Sequence, residues 1–212
     1  MSLGLIITAA GASTRFGEPK QFYNIGGTPM LTKTLQAFKG CSDISECIVT
    51  INESGKARLE EELSAIELPF TVKIVLGGVT RRDSVENAVN SLETTSKVLI
   101  HDGARPFVTG DVIQRVSEAI TSEKAVIPGV PSVDTLKVVQ NGHVDATLNR
   151  DEVYRIQTPQ AFDVETLKKA YAEYTGPEAT DEAMLVEKLG LRVAVVLGDE
   201  QNKKVTFKSD CN

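Results

Sequence analysis

The stretch Leu5–Phe22, LIITAAGASTRFGEPKQF, joins an apolar run to a glycine-containing loop that carries Arg15 and Lys20. Such a run ending at a glycine turn is how a buried parallel strand opens a ligand-binding crest in an α/β sheet. Successive backbone N–H groups of a turn wrap phosphate oxygens, and an Arg with a Lys neutralises the charge that a departing polyphosphate develops. A triphosphate is the guest these residues predict, with Arg15 and Lys20 as the catalytic pair. Losing either should cost about 2.7–4 kcal/mol of transition-state stabilisation, by analogy with the loss of one oxyanion donor.

Neither common phosphate loop fits this spacing. A Walker loop places four residues between its glycines and Lys directly after the second, whereas five residues separate Gly11 from Gly17 and Lys20 follows Pro19. In a dinucleotide fingerprint, Ser13 and Phe16 would stand where the second and third glycines belong, and Pro19 discourages an immediate helix. The bland alternative is a surface loop with scattered charges.

Three further groups of residues have chemical potential. Asp102 follows Val98-Leu99-Ile100-His101, so it sits at the carboxyl end of a strand, where open α/β sheets place ligands. A single hard carboxylate beside a polyphosphate can hold Mg²⁺; the same Asp102 could instead cap the next turn or pair with Arg105. Gly77-Gly78 closes another strand and lets backbone approach a flat base, with Ser84 placed either to bond that base or to cap its own helix. Thr180-Asp181-Glu182 reads as a plain helix start with acids favoured by the dipole. No Ser-His-Asp or Cys-His arrangement is visible, which suits phosphoryl chemistry carried by positioning and charge.

The elements that position these residues alternate. Leu3–Ala10, Glu46–Ile51, Thr71–Leu76, Lys97–His101 and Ala125–Pro128 are short apolar runs suited to a sheet covered on both faces. Helical patterns run from Thr28, a candidate cap with Pro29 in the first turn, to near Gly40, and over Lys56–Ala65, Arg82–Leu92, Asp111–Ser122 and Val164–Tyr174. The fold class expected is α/β, a Rossmann-like three-layer sandwich with a mostly parallel sheet. After Pro131 the pattern changes: Thr135–Val139 and His143–Leu148 flank Asn141-Gly142, a strong hairpin signal. A protruding antiparallel β-arm is therefore expected at about 131–156 of a single domain, 1–212, and must pack on its own body or on a second subunit.

Composition narrows the partners. With 23 basic and 29 acidic side chains the net charge is −6, without a block of like charges, which argues against nucleic acid. Cys41, Cys47 and Cys211 lack metal-ligand spacing, and no apolar run reaches the roughly 18 residues of a spanning helix. A soluble, cytoplasmic protein away from membranes is the expectation.

The opening loop resembles the signature of nucleotidyltransferases that activate sugar and polyol phosphates, in which an Ala-Ala-Gly loop with an Arg precedes Pro-Lys-Gln. Gly77-Gly78-Val79-Thr80-Arg81-Arg82-Asp83-Ser84-Val85, Ile100-His101-Asp102-Gly103-Ala104-Arg105-Pro106, Gln157-Thr158-Pro159-Gln160 and Asn202-Lys203-Lys204-Val205-Thr206 are similar, in order, to the 2-C-methyl-D-erythritol 4-phosphate cytidylyltransferase family. The likeness runs from residue 3 to residue 206.

It implies transfer of CMP from CTP to the polyol phosphate, with Arg15, Lys20 and Lys204 catalytic. It implies a nucleotide site at Ala9, Ala10, Gly11, Ala12, Gly78, Ser84 and Asp102, with Mg²⁺ on Asp102. The acceptor would meet Gly103, Arg105, Thr135, Arg150, Thr158 and Thr180, and a homodimer would form through the arm. On their own, Arg150 reads as a solvated strand-end charge and Lys204 as a solvated edge-strand charge. Ser13 replaces a family glycine, tolerable with negative φ, and Gly103 replaces an alanine. Family members continue past the Lys204 strand with a short helix, whereas this sequence ends at Asn212. Two rivals stay open: a ribitol 5-phosphate cytidylyltransferase, whose branch favours Ala-Gly-Gly where this chain has Ala9-Ala10-Gly11, and a silent nucleotide-binding module on the same fold.

Overall fold

The computed structural model describes residues 2–176 and 179–211. In chain order its elements are β1 (Leu3–Thr8), β2 (Asn24–Ile25), β3 (Thr28–Pro29), α1 (Met30–Ala37), β4 (Ile44–Ile51), α2 (Glu53–Ser64), β5 (Thr71–Leu76) and α3 (Arg81–Asn90). Then follow β6 (Lys97–Asp102), α4 (Gly110–Ala119), β7 (Ala125–Pro131), β8 (Lys137–Gln140), β9 (His143–Thr147) and β10 (Tyr154–Ile156). β11 (Gln160–Asp163), α5 (Val164–Glu173), α6 (Glu182–Lys188) and β12 (Ala194–Leu197) complete the order.

Eight strands form one sheet in the order β10-β7-β11-β6-β1-β4-β5, with β12 paired to β7. β1 lies at its heart, paired in parallel with β4 on one side and β6 on the other. The run Leu5-Ile6-Ile7 is wholly buried because both sheet faces are covered. Leu5 and Ile7 point into one apolar layer with Leu31 and Leu35 of α1, Leu59 of α2 and Val112 of α4. Ile6 points into the other, with Val85 of α3, Leu167 of α5 and Val186 of α6. This alternation makes the three-layer α/β sandwich, and each such side chain stabilises it by about 1.5–3 kcal/mol.

Several boundaries differ from the sequence expectation. α1 starts at Met30, not at a Thr28 cap: Thr28 and Pro29 pair with Ile25 and Asn24 across Gly26 and Gly27, both at positive φ. α2 begins earlier than Lys56, because the Asn52 side chain accepts the Gly55 N–H at 2.9 Å and caps it. Thr80, not Ser84, caps α3, in a reciprocal box with Asp83. The short strands β11 and β12 were not expected. Within the sheet, β10 and β11 run antiparallel to their neighbours.

The hairpin forms as its Asn-Gly signal demands, with Asn141 and Gly142 both at positive φ. β8 and β9 pair only with each other, and every residue from 139 to 150 is exposed. The hairpin stands clear of its own body, whereas the end of the expected arm, Tyr154–Ile156, returns to the main sheet as β10 beside β7. Among the described residues no helix is long and apolar enough to cross a membrane.

Candidate active site at the carboxyl ends of β1 and β6

The loop after β1 borders a cleft of about 320 Å³ whose walls include Ala9, Ala10, Gly11, Ala12, Lys20, Gly78, Ser84, Asp102, Gly103 and Lys204. Ser13 holds that loop at φ +55, against the negative value expected. A side chain in this left-handed region costs roughly 1 kcal/mol. Offsetting bonds are at hand: Ser13 Oγ accepts the Lys20 N–H at 3.3 Å, and its carbonyl accepts the N–H groups of Phe16 and Gly17.

Gly77 and Gly78 are needed for packing as well as for ligand approach. A Cβ on Gly77 would lie 2.3 Å from Ala10 Cβ, and one on Gly78 would lie 2.2 Å from Asp83 Cβ. The turn after β5 thus presses on the loop after β1 with no space for a side chain. Ser84 Oγ accepts the Gly78 N–H at 3.0 Å and donates to Thr80 O at 2.9 Å, which leaves one lone pair unspent.

Of the expected catalytic pair, the structure places Lys20 in the cleft and leaves Arg15 exposed, outside its walls. Lys20 Nζ donates to Val205 O at 3.1 Å. Burial lowers the Lys20 pKa, and the nearby Lys204 and Arg15 cations lower it further. Lys204 lies in irregular chain rather than the edge strand expected. It is seated there because Val205 packs with Phe16, Ile25, Met30 and Ala104 and bonds Ala104 O through its N–H.

Asp102 ends β6 with its carboxylate among cations. Its Oδ2 meets Lys204 Nζ at 2.7 Å and Arg105 Nε at 3.8 Å; its Oδ1 is 3.9 Å from Arg81 Nη2 and accepts from Thr8 Oγ1 at 3.4 Å. Burial alone would raise its pKa, but Lys204, Arg81 and Arg105 hold the carboxyl well below the usual range. The pairing with Arg105 is thus present, but it is looser than that with Lys204.

A second hollow of about 270 Å³ adjoins the cleft, bordered by Arg105, Thr158, Gln160, Thr180 and Asp181. Arg81, Asp102 and Lys204 line both. Thr158 Oγ1 accepts the Asp102 N–H at 3.0 Å and lies 3.0 Å from His101 Nδ1. The network assigns the Thr158 proton to Nδ1, and the His101 Nε2–H to Arg105 O at 3.2 Å. Burial pushes the His101 pKa down to about 4, so the ring is neutral. Arg105 Nη1 donates to Asn202 O at 2.7 Å, tying the loop after β6 to the segment that carries Lys204.

Thr135 and Arg150 border neither hollow; both are exposed on the arm, with Arg150 Nε 3.9 Å from Asp151 Oδ1. Sequence reasoning missed Arg81 and Glu182. Glu182, read as an ordinary helix-start acid, is buried, and its two oxygens bind Arg81 Nη1 at 2.7 Å and Nη2 at 2.9 Å. Arg81 stands in the Gly77–Val85 segment without a local feature that marks its partner, 101 residues away.

The donor set suits magnesium better than a transition metal. Among the described residues no group of three or more His, Cys, Asp or Glu side chains could hold an ion. Mg²⁺ needs only one or two carboxylates when phosphates and waters supply the rest. Asp102 Oδ1, ionised and loosely engaged, fits that part.

A family model described as IspD: 2-C-methyl-D-erythritol 4-phosphate cytidylyltransferase matches residues 3–212. The chain is 36% identical to the 2-C-methyl-D-erythritol 4-phosphate cytidylyltransferase of Acidobacterium capsulatum, covering 99% of this chain and 94% of the relative. It is 40% identical to the bifunctional enzyme IspD/IspF of Solidesulfovibrio magneticus, covering 99% of this chain but spanning only 56% of that protein's length. The crystal structure of 4-diphosphocytidyl-2C-methyl-D-erythritol synthase from Anaerococcus prevotii superposes with a TM-score of 0.89 at 32% identity, over 99% of this chain and 94% of that one. Fold and sequence agree, and the chain belongs to the 2-C-methyl-D-erythritol 4-phosphate cytidylyltransferase family.

Proposed function

We propose that this chain transfers CMP from CTP to 2-C-methyl-D-erythritol 4-phosphate, giving 4-diphosphocytidyl-2-C-methyl-D-erythritol and pyrophosphate in non-mevalonate isoprenoid biosynthesis. The observation that carries this reading is the meeting of two hollows at Arg81, Asp102 and Lys204. One hollow has a flat-base wall at Gly78 and Ser84 and a phosphate loop carrying Lys20; the other is small, polar and cationic.

A phosphate oxygen of the acceptor attacks the α-phosphorus of CTP, the new P–O bond forms, and the bond to the β-phosphate oxygen breaks to release pyrophosphate. The attacking phosphate is already an anion, so no side chain need remove a proton from it. Lys20 holds the triphosphate, and Arg15, on the same loop and near enough to lower the Lys20 pKa, adds its charge. Lys204 exchanges its bond to Asp102 for phosphate oxygens at the junction. In-line alignment and cations placed ahead of the charge supply the rate. Magnesium, held by Asp102 with waters and phosphate oxygens, would neutralise triphosphate charge.

Thr135 and Arg150 reach an acceptor only if the arm crosses to a second subunit, and the arm's exposed Val139 and Val144 suit such a homodimer. Arg105, Thr158 and Thr180 hold the acceptor from the body of the chain. Both substrates are charged, water-soluble phosphates, and we place the reaction in the cytoplasm.

The test is pyrophosphate release with CTP and, in separate reactions, 2-C-methyl-D-erythritol 4-phosphate and ribitol 5-phosphate. Turnover with the first alone is expected. Preference for ribitol 5-phosphate would assign the chain to the sister activity, and release with neither would leave a nucleotide-binding module.

A further inference from the structure

We infer that Arg81 is a further catalytic residue, contacting the reacting phosphates where the two hollows join, and that Glu182 is its positioning residue. The inference rests on the cytidylyltransferase reading above. Two molecules that react must meet at one point, and a side chain bordering both of their hollows borders that point. Among the described residues three do: Lys204, Asp102 and Arg81.

Arg81 is the first residue of α3, so it leaves the helix directly after the turn that holds Gly78. Its guanidinium does not wander. Glu182, the first residue of α6, grips Nη1 and Nη2 with separate oxygens at 2.7 and 2.9 Å. Glu182 is 2% exposed and is itself held by the Tyr171 hydroxyl, which donates to Oε1 at 3.2 Å. A two-point grip fixes the plane of the guanidinium as well as its place. Of five N–H donors, two go to Glu182. Nη2 still faces Asp102 Oδ1 at 3.9 Å, too far for a hydrogen bond, so a donor remains aimed at the junction. A buried ion pair is weak as a source of stability, because well-packed apolar residues of the same volume do as well. Holding one donor at a fixed angle beside a reacting phosphate is a task that apolar residues cannot perform.

Arg81→Lys keeps the charge opposite Glu182 but loses the fork. The expected result is a fall in kcat of about tenfold or more, with CTP affinity of the enzyme without acceptor changed by less than about threefold, because the contact matters only when both substrates are present. Glu182→Gln should lower kcat in the same way, and the double variant should be no slower than the slower single one, since Glu182 acts through Arg81. Wild-type kcat in Arg81→Lys would overturn the catalytic assignment. Losses that multiply in the double variant would overturn the positioning role. If Glu182→Gln does not fold, as judged by near-UV circular dichroism, Tyr171→Phe replaces it; the loosened grip should lower kcat at unchanged CTP affinity, and an unchanged kcat would overturn the positioning role. A wild type that releases no pyrophosphate would bring down the proposed reaction and this inference together, whereas an active wild type with equally active variants would remove only the inference.

Discussion

The Lys204 ammonium sits 2.7 Å from Asp102 Oδ2, closer than either arginine that faces the same carboxylate. The lysine arrives on irregular chain, anchored by buried Val205; the aspartate arrives on the last position of a central strand. Ligand binding must therefore compete with an internal ion pair. Phosphate oxygens can take Lys204 away and leave Asp102 free for a cation, so the site exchanges one charge pairing for two.

That exchange predicts how the centre responds to loss of the carboxylate or of metal. Asp102→Asn should cut turnover by at least about a hundredfold while the protein stays folded, because Asn offers only a neutral oxygen to the metal and no charge to Lys204. EDTA should abolish wild-type activity, and added Mg²⁺ should restore it. Pyrophosphate release that continues at full rate in EDTA would remove the metal from the mechanism.

Nucleotide choice follows from Ser84. Its hydroxyl spends its proton on Thr80 O and one lone pair on Gly78 N–H. The remaining lone pair can accept from an exocyclic amine but repels a carbonyl oxygen. CTP should therefore exceed UTP in kcat/KM by at least about a hundredfold, since a site left with unpaired buried groups rejects strongly. Steady-state rates with the two nucleotides decide this, and comparable values would sink the cytosine assignment.

The apolar strand runs and the Asn141-Gly142 turn were legible in the sequence because they are local: burial on two faces writes a continuous apolar run, and a two-residue hairpin turn with positive φ at both positions writes Asn-Gly. Gly78 and Asp102 were legible for the same reason, lying just beyond or at the end of such a run, and Lys20 and Ser84 stand in the segments that follow β1 and β5. The Arg81–Glu182 pair was not, since its members stand 101 residues apart and each alone looks like an ordinary helix-start residue. Ser13 was misjudged because only the folded loop shows which φ it must adopt and which bonds its hydroxyl gains. Thr28 looked like a cap until the Gly26-Gly27 turn folded it back onto Ile25. Lys204 looked like an edge-strand charge because nothing in its neighbours signals that Asp102 waits for it.

Acid should unfasten the far side of the sheet through Glu46. Its carboxylate accepts from the N–H groups of Glu93, Thr94 and Thr95 and from the Thr94 and Thr95 hydroxyls, clasping that loop to β4. Burial pushes its pKa up, but these bonds outweigh burial and lower it. The unfolded chain, with a Glu pKa of about 4.3, binds the proton more readily than the native one. The stabilisation is thus fully present above about pH 4.3 and is lost as pH falls through the lower native value. Glu46→Gln should be less stable than wild type in urea at pH 6, with the gap closing below about pH 4. A gap that stays constant from pH 6 to pH 3 would show that the charge is not what holds the loop.

The arm supplies the most discriminating prediction. Thr135 and Arg150 are exposed and line neither hollow in a single chain, and every residue from 139 to 150 is exposed. If each site takes Lys20 from one subunit and Arg150 from the other, the Lys20→Ala and Arg150→Ala homodimers are both crippled. A mixed dimer differs, because the Arg150→Ala subunit offers an intact phosphate loop and the Lys20→Ala subunit an intact arm. These two complete one site; the opposite site receives both lesions. Random reassembly makes about half of the dimers mixed, each with one good site in two, so activity should recover to about a quarter of wild type. The two variants are unfolded together and refolded, with each refolded alone as a control. Heterodimers proven by differently tagged subunits, yet without recovered activity, would mean that Arg150 serves its own subunit's site or none.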